Sequence, residues 1–357
     1  MSRYPHLLAP LTLGALRLPN RVLMSPMTRG RARANGTTPP MVAEYFQQRS
    51  SAGLMMTDAT MVSPQAVGYL NSPGMWRDDH VEAWREVTDS VHAVGGLIVL
   101  QLMHCGRISL TALQPGHDTP ISSSAIPAAD TMLYSPAMVL EPAAEPRALE
   151  LSEIAGVVTQ FAQAARRGKV AGFDAVEIHA ANGYLIDQFL RDGVNQRHDK
   201  FGGSAENRAR FLLQVTEAVA KEFSADRTGV RLSPSNPFND MHDSNPLDTF
   251  GTAVRQLAAL DLAWTHLASA GRTDLTHRLR DMHGSPFILN GGFTAASAND
   301  AIKSEVAMAV SFGTLFIANP DLVERFELDA DLATPDPSTF YTGGEAGYID
   351  YPELSAE

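Results

Sequence analysis

A single cysteine, Cys105, stands in a chain of 357 residues. No disulfide can therefore form within the chain, and the four thiolates that hold an iron–sulfur cluster are not available. A lone thiol fits a reducing compartment. Basic residues are also in short supply, 28 against 40 acidic ones, for a formal charge of −12. This balance argues against a nucleic-acid partner, because displacing counterions from phosphates takes clustered Lys and Arg. No apolar run approaches the roughly 18 residues of a membrane-spanning helix. The amino terminus carries no basic segment followed by an apolar stretch and a cleavage site, so a soluble cytoplasmic protein with no membrane partner is expected. No repeat of solenoid length occurs. A dinucleotide-binding fold would open with a glycine-rich turn after its first strand, yet Met24-Ser25-Pro26-Met27-Thr28 stands in that place.

Hydrophobic residues make up 44% of the chain and charged residues 19%, ordinary globular proportions with ample material for a core. Short apolar runs fall at Val22–Met24, Leu54–Met56, Leu97–Gln101, Ala175–Ile178, Gly229–Leu232, Trp264–Leu267, Phe287–Leu289 and Ala307–Val310. Helical spacing lies between them. Ile154, Val157, Phe161, Ala164 and Ala165 repeat at three and four, as do Phe211, Leu212, Val215, Ala218 and Val219. Strand and helix in alternation imply a parallel sheet covered by helices. About eight units close into an α/β barrel of the (β/α)8 TIM type; an open doubly wound sheet would share the pattern. One barrel domain over residues 1–357 is expected. The rhythm breaks between 108 and 150, where Pro115, Pro120, Pro127, Pro136, Pro142 and Pro146 crowd together, and a lid after the third strand is expected there. Residues 333–357, rich in Tyr, Gly and Pro, should form a tail packed on the barrel.

The fourth apolar run ends in His179-Ala-Ala-Asn182-Gly-Tyr184. In such barrels chemistry gathers at the carboxyl ends of strands. His179 and Asn182 can both donate hydrogen bonds to one oxygen, and the phenol of Tyr184, protonated at neutral pH, can serve as a general acid. Taken alone, the segment also suits a structural histidine satisfied by its neighbours. Arg29-Gly-Arg31-Ala-Arg33 is either an anion site or a solvated loop. Cys105, just past the third run, is expected to be buried and without a catalytic role.

The stretch His179-Ala-Ala-Asn-Gly-Tyr-Leu-Ile-Asp-Gln-Phe-Leu190 is followed by Asn195-Gln-Arg-His-Asp199 and Phe201-Gly-Gly-Ser-Ala-Glu-Asn-Arg208. With Pro26-Met27-Thr28-Arg29, Gln101-Leu-Met-His104, Arg231-Leu-Ser-Pro234, Gly291-Gly292, Ile317-Ala-Asn-Pro-Asp-Leu322 and Gly347-Tyr-Ile-Asp-Tyr-Pro352, the chain resembles the old yellow enzyme family of flavin-dependent ene-reductases along nearly its whole length. The resemblance implies bound FMN and a nicotinamide donor, NADPH or NADH. It places Gln101 at the pyrimidine edge of the isoalloxazine, Arg231 near N1 and O2, Thr28 at O4, and Pro26 and Ala59 along the ring. The phosphate would lie at the loops after the seventh and eighth strands, Gly291-Gly292 and Gly313-Thr314. His179, Asn182, Met103 and Tyr348 would line the substrate pocket, with Tyr184 as proton donor.

Two positions depart from the family pattern. Thr314 stands where members commonly carry a phosphate-gripping Arg, and Arg272 is a nearby cation that could compensate; Met103 replaces a common Trp. The implied reaction is ping-pong reduction of an activated alkene, an α,β-unsaturated carbonyl or nitro compound. Alternatives are a flavin barrel of the amine-demethylating or dienoyl-thioester-reducing type, disfavoured where a four-thiolate cluster is needed, and a flavin-binding sensor module. Monomer and homo-oligomer both stay open.

Overall fold

Eight segments that bury every residue or nearly so, the mark of strands covered on both faces, form a closed parallel barrel in the computed structural model, which describes residues 2–268, 273–341 and 343–354. They are Val22–Met24, Leu54–Met56, Ile98–Met103, Ala175–Ala180, Thr228–Leu232, Trp264–Ala268, Phe287–Asn290 and Ala307–Phe312. Each pairs in parallel with the next, and the eighth returns to the first through Ser311 opposite Leu23. Adjacent third and fourth strands are set with Val99 opposite Ala175 and Gln101 opposite Glu177.

Because side chains alternate along a strand, one parity points to the helices and the other into the barrel. Val176, Ile178 and Ala180 join the outer core with Phe161, Leu212 and Val215. Those partners lie on the helices Ile154–Val170 and Ala205–Phe223, the first and second of the helical patterns visible in the sequence. Ser204 starts the latter by accepting a hydrogen bond from the amide of Asn207. Of the opposite parity, Ala175, Val99, Trp264, Ile288 and Ala309 form an inner apolar cluster with Leu13, Leu16 and Leu18 of the amino-terminal hairpin, Leu11–Leu13 with Leu16–Leu18. Further along the same strands the inward residues become polar: Gln101, Glu177, His179, Arg231, His266, Asn290 and Ser311.

The proline-rich excursion after the third strand contains a short hairpin, Met132–Tyr134 with Leu140–Pro142, whose Met132, Tyr134 and Leu140 are exposed. It is anchored where Ile121–Ser122 pairs with Arg147–Ala148. The carboxyl-terminal tail returns to the helix Met41–Gln48, with Tyr348 stacked on Tyr45 at 4.0 Å between centroids and 3° between planes. Among the described residues no helix is long and apolar enough to cross a membrane.

Candidate active site

The turn after the fourth strand bends because Asn182 and Gly183 both take positive φ, 56° and 78°. Glycine is required at 183 for space as well, since a Cβ there would approach Met241 Cγ to 2.7 Å and Asn239 Cβ to 2.8 Å. The Gly183 amide donates to Asp187 (2.9 Å), and Asp187 pairs with Arg191 at 2.9 Å in the short helix that follows. Arg191 in turn bonds the backbone oxygens of Ser233 and Asn236, so the loops after the fourth and fifth strands are tied together.

His179, Asn182 and Tyr184 line a cavity of about 1320 Å³ at the carboxyl ends of the strands. His179 Nδ1 accepts from the amide of Ala181 (3.3 Å), which leaves the proton on Nε2. Burial, reinforced by Arg231, pushes this imidazole down to about 3, so it is neutral at physiological pH. Asn182 accepts at Oδ1 from Asn236 (2.9 Å), turning its own amide hydrogens outward, and its backbone amide donates to Ser233 Oγ (2.7 Å). Burial and the neighbouring Tyr69 push the Tyr184 phenol well above its ordinary value. Tyr184 donates to Tyr69 Oη at 3.1 Å, and its ring meets His179 edge-on at 5.0 Å. These groups present hydrogen-bond donors and hold no free charge, the arrangement suited to an oxygen that gains negative charge.

Gln101 and Arg231 line the inner wall of the same cavity. Gln101 Nε2 donates to Glu177 (2.8 Å), which leaves its carbonyl oxygen as an acceptor. Arg231 reaches His266 Nε2 (2.7 Å) with one Nη and Asn290 Oδ1 (2.9 Å) with the other. Pro26, Thr28, Ala59 and the fully buried Met103 complete that side. At the outer end lie Gly291, Gly292, Gly313 and Thr314. Gly291 and Gly292 take φ of 125° and 70°, and a Cβ on Gly292 would meet nothing within 4 Å, so the backbone there is open to a ligand. Arg272 falls outside the described residues.

The donor set fits FMN on observations of this chain. A pyrimidine ring offers alternating acceptors and an N–H, and the wall offers Arg231 as cation and the freed Gln101 oxygen as acceptor. The loops of Gly291-Gly292 and Gly313-Thr314 offer backbone amides to a phosphate.

Two expectations are corrected. Tyr348 does not line the cavity: it is 1% exposed, stacked on Tyr45 and covered by the Arg31 guanidinium at 4.8 Å. Phe340 and Tyr341 reach the cavity from the tail instead. Nor are Arg29 and Arg31 part of a solvated loop or a ready anion site, although Arg33 is exposed. Arg29 and Arg31 are buried and bond tail carbonyls, Arg29 those of Phe340 (2.9 Å) and Gly347 (2.8 Å), Arg31 that of Thr339 (2.8 Å). Cys105 is buried beside Met61 Sδ at 3.8 Å, and burial raises its thiol pKa.

Tyr69, Glu177 and His266 were not singled out from sequence. Glu177 and His266 did carry a signal, since each is a polar residue at inward parity in an apolar strand. Tyr69, in the loop after the second strand, carried none.

A family model described as NADH:flavin oxidoreductase / NADH oxidase matches residues 6–332. The chain is 43% identical to putative 12-oxophytodienoate reductase 5 of Oryza sativa subsp. japonica, over 96% of this chain and 93% of that one. It is 40% identical to 12-oxophytodienoate reductase 2 of Arabidopsis thaliana, over 98% and 96%. Among solved structures it superposes on morphinone reductase with a TM-score of 0.95 at 42% identity, over 98% and 97% of the two chains. It also superposes on the old yellow enzyme homologue from Zymomonas mobilis with 0.94 at 41%, over 98% and 100%. A barrel of this topology, a cavity fitted to a flavin and relatives matched along almost their whole length place the chain in the old yellow enzyme family, as an FMN-dependent NAD(P)H oxidoreductase acting on activated alkenes.

Proposed function

We propose that this chain, as one FMN-binding barrel domain, reduces the C=C bond of α,β-unsaturated carbonyl or nitro compounds, with His179 and Asn182 holding the substrate oxygen and Tyr184 supplying the proton. The observation that carries the reading is the convergence on one cavity of two unspent donors, His179 Nε2 and the Asn182 side-chain amide, with the Tyr184 hydroxyl, whose partner is the hydroxyl of Tyr69. FMN, held by Gln101, Arg231 and the glycine loops, would supply the redox chemistry, hydride transfer between a nicotinamide and the β carbon. Other steps belong to the protein. His179 and Asn182 stabilise charge that develops on the carbonyl or nitro oxygen, and a neutral imidazole does so without giving up its proton. Tyr184 then protonates the α carbon, its hydroxyl turning from Tyr69, which remains within reach to donate to the resulting phenolate. Donor and alkene use the same cavity in turn, which makes the kinetics ping-pong. Among the structural relatives, morphinone reductase has been solved in complex with tetrahydroNAD, which supports a nicotinamide entering such a cavity.

The test is Tyr184→Phe in stopped-flow. Flavin reduction by NADH or NADPH should stay within about twofold, while alkene reduction slows about a hundredfold. Unchanged alkene turnover would remove Tyr184 from the mechanism.

A further inference from the structure

Below the cavity floor lies a charge that the reaction above does not use. Glu177, fully buried in the barrel, accepts from Gln101 Nε2 (2.8 Å) at one oxygen and from Trp264 Nε1 (2.9 Å) and His266 Nδ1 (2.9 Å) at the other. Since Nδ1 of His266 donates to the carboxylate, Nε2 must accept, and Arg231 Nη1 lies 2.7 Å from it, with Ser311 Oγ at 2.9 Å. The imidazole between them is neutral, its pKa lowered to about 4 by burial and by Arg231. Burial alone would raise the Glu177 pKa, but the His266 and Arg231 side of the network and the Trp264 donor hold it down to about 2, so the carboxylate stays ionised. The chain carboxylate, neutral imidazole, guanidinium therefore ends at the cavity wall in Arg231, and a second branch ends there in Gln101.

Two consequences follow from elementary electrostatics. An acceptor-only group behind Gln101 fixes its amide with nitrogen inward and oxygen toward the cavity, the orientation that meets a ring N–H. A negative charge behind Arg231 opposes the field of the guanidinium, and a site of low dielectric screens that opposition little. A guanidinium at the pyrimidine edge favours the reduced, more negative flavin, so the carboxylate acts against reduction.

We propose that Glu177 is a positioning residue for the flavin, orienting Gln101 and, through His266, Arg231, and that its charge holds the reduction potential of bound FMN below the value an unopposed Arg231 would set. This rests on the reading that FMN occupies the cavity, and FMN binding by the parent protein is therefore measured first. If the parent binds no FMN, both that reading and this proposal fail together.

The test is the potential of the FMN-loaded protein, measured anaerobically against a reference dye. Glu177→Gln should raise the ratio of reduced to oxidised flavin at fixed potential at least tenfold, about 30 mV for a two-electron couple. Glu177→Asp, which keeps the charge, should stay within about threefold. An unchanged or lowered ratio in Glu177→Gln with FMN still bound would overturn the proposal. Should that variant fail to fold, Trp264→Phe carries the test in the opposite direction, because stripping one donor from the carboxylate leaves more of its charge to oppose Arg231. The ratio should then fall by about threefold, and an unchanged ratio would overturn the proposal.

Discussion

The inner wall and the outer end of the cavity are built from different materials. Arg231, Gln101 and His179 project from buried strands, and each has a partner that fixes its orientation: His266 and Asn290, Glu177, and the Ala181 amide. At the outer end Thr314 is exposed, and the ligand-facing groups are backbone amides of glycine loops. Among the described residues two charges there have partners. Arg325 pairs with Asp321 at 2.7 Å and bonds the carbonyl oxygens of Asp331 (2.6 Å) and Pro352 (3.0 Å), and Asp329 accepts from Tyr4 (3.2 Å) and Arg3. Electrostatics on the inner side are thus preorganised by the barrel, whereas the outer end relies on where its backbone runs. A change to the inner wall should alter chemistry at constant binding, and a change to the outer end should alter binding at constant chemistry.

The sharpest break in that contrast is expected from His179→Ala combined with Asn182→Ala. Alkene kcat/KM should fall by about 10²- to 10³-fold or more while FMN stays bound, as checked by steady-state kinetics and flavin content. Next comes Thr314→Arg at the opposite end. A charged donor facing the phosphate loops should tighten FMN about tenfold in a fluorescence-quenching titration and leave the alkene step within about twofold. A change in the alkene step of the size seen for the inner-wall pair would erase the distinction between the two ends.

Acid should act on the barrel interior and its surroundings rather than on the outer loops. His104, His179 and His266 are buried and neutral, pushed down to about 3, 3 and 4, so the unfolded chain binds their protons first and stability falls as pH drops below about 6.5. Asp58, raised by burial to about 6, takes up a proton in the folded state over the same range and offsets one of the three. Between pH 5.5 and 4.5 the net of about two protons corresponds to a loss on the order of 3 kcal/mol per pH unit, which urea unfolding at stepped pH would read. The smallest effect is expected from Tyr348→Phe. Its ring is packed away from the cavity, so alkene kinetics should stay within about twofold of the parent.

The parts legible in the sequence were those in which local pattern and tertiary role coincide. Eight apolar runs became eight barrel strands because a strand covered on both faces needs little but apolar residues. His179, Asn182 and Tyr184 were visible because a strand end followed by glycine puts its polar residues at a barrel mouth. Tyr348 was misplaced for a reason that no local pattern records. The return path of the tail is set by Arg29 and Arg31, more than three hundred residues earlier in the chain, which bind its carbonyls and trap Tyr348 against Tyr45, leaving Tyr341 at the cavity. The same bonds explain why two of the three arginines that suggested an anion site, Arg29 and Arg31, are spent on the protein itself. Glu177 lay in plain view at the parity of His179, but its role depends on Trp264 and His266, two strands away around the barrel.

Whether one preorganised cavity serves both nicotinamide and alkene is read by an anaerobic absorbance titration of the FMN-loaded protein with NADH or NADPH and then an activated enone. The yellow bands should bleach with the nicotinamide and return on addition of the enone without oxygen. Bleaching with no return for any activated alkene would contradict a shared cavity.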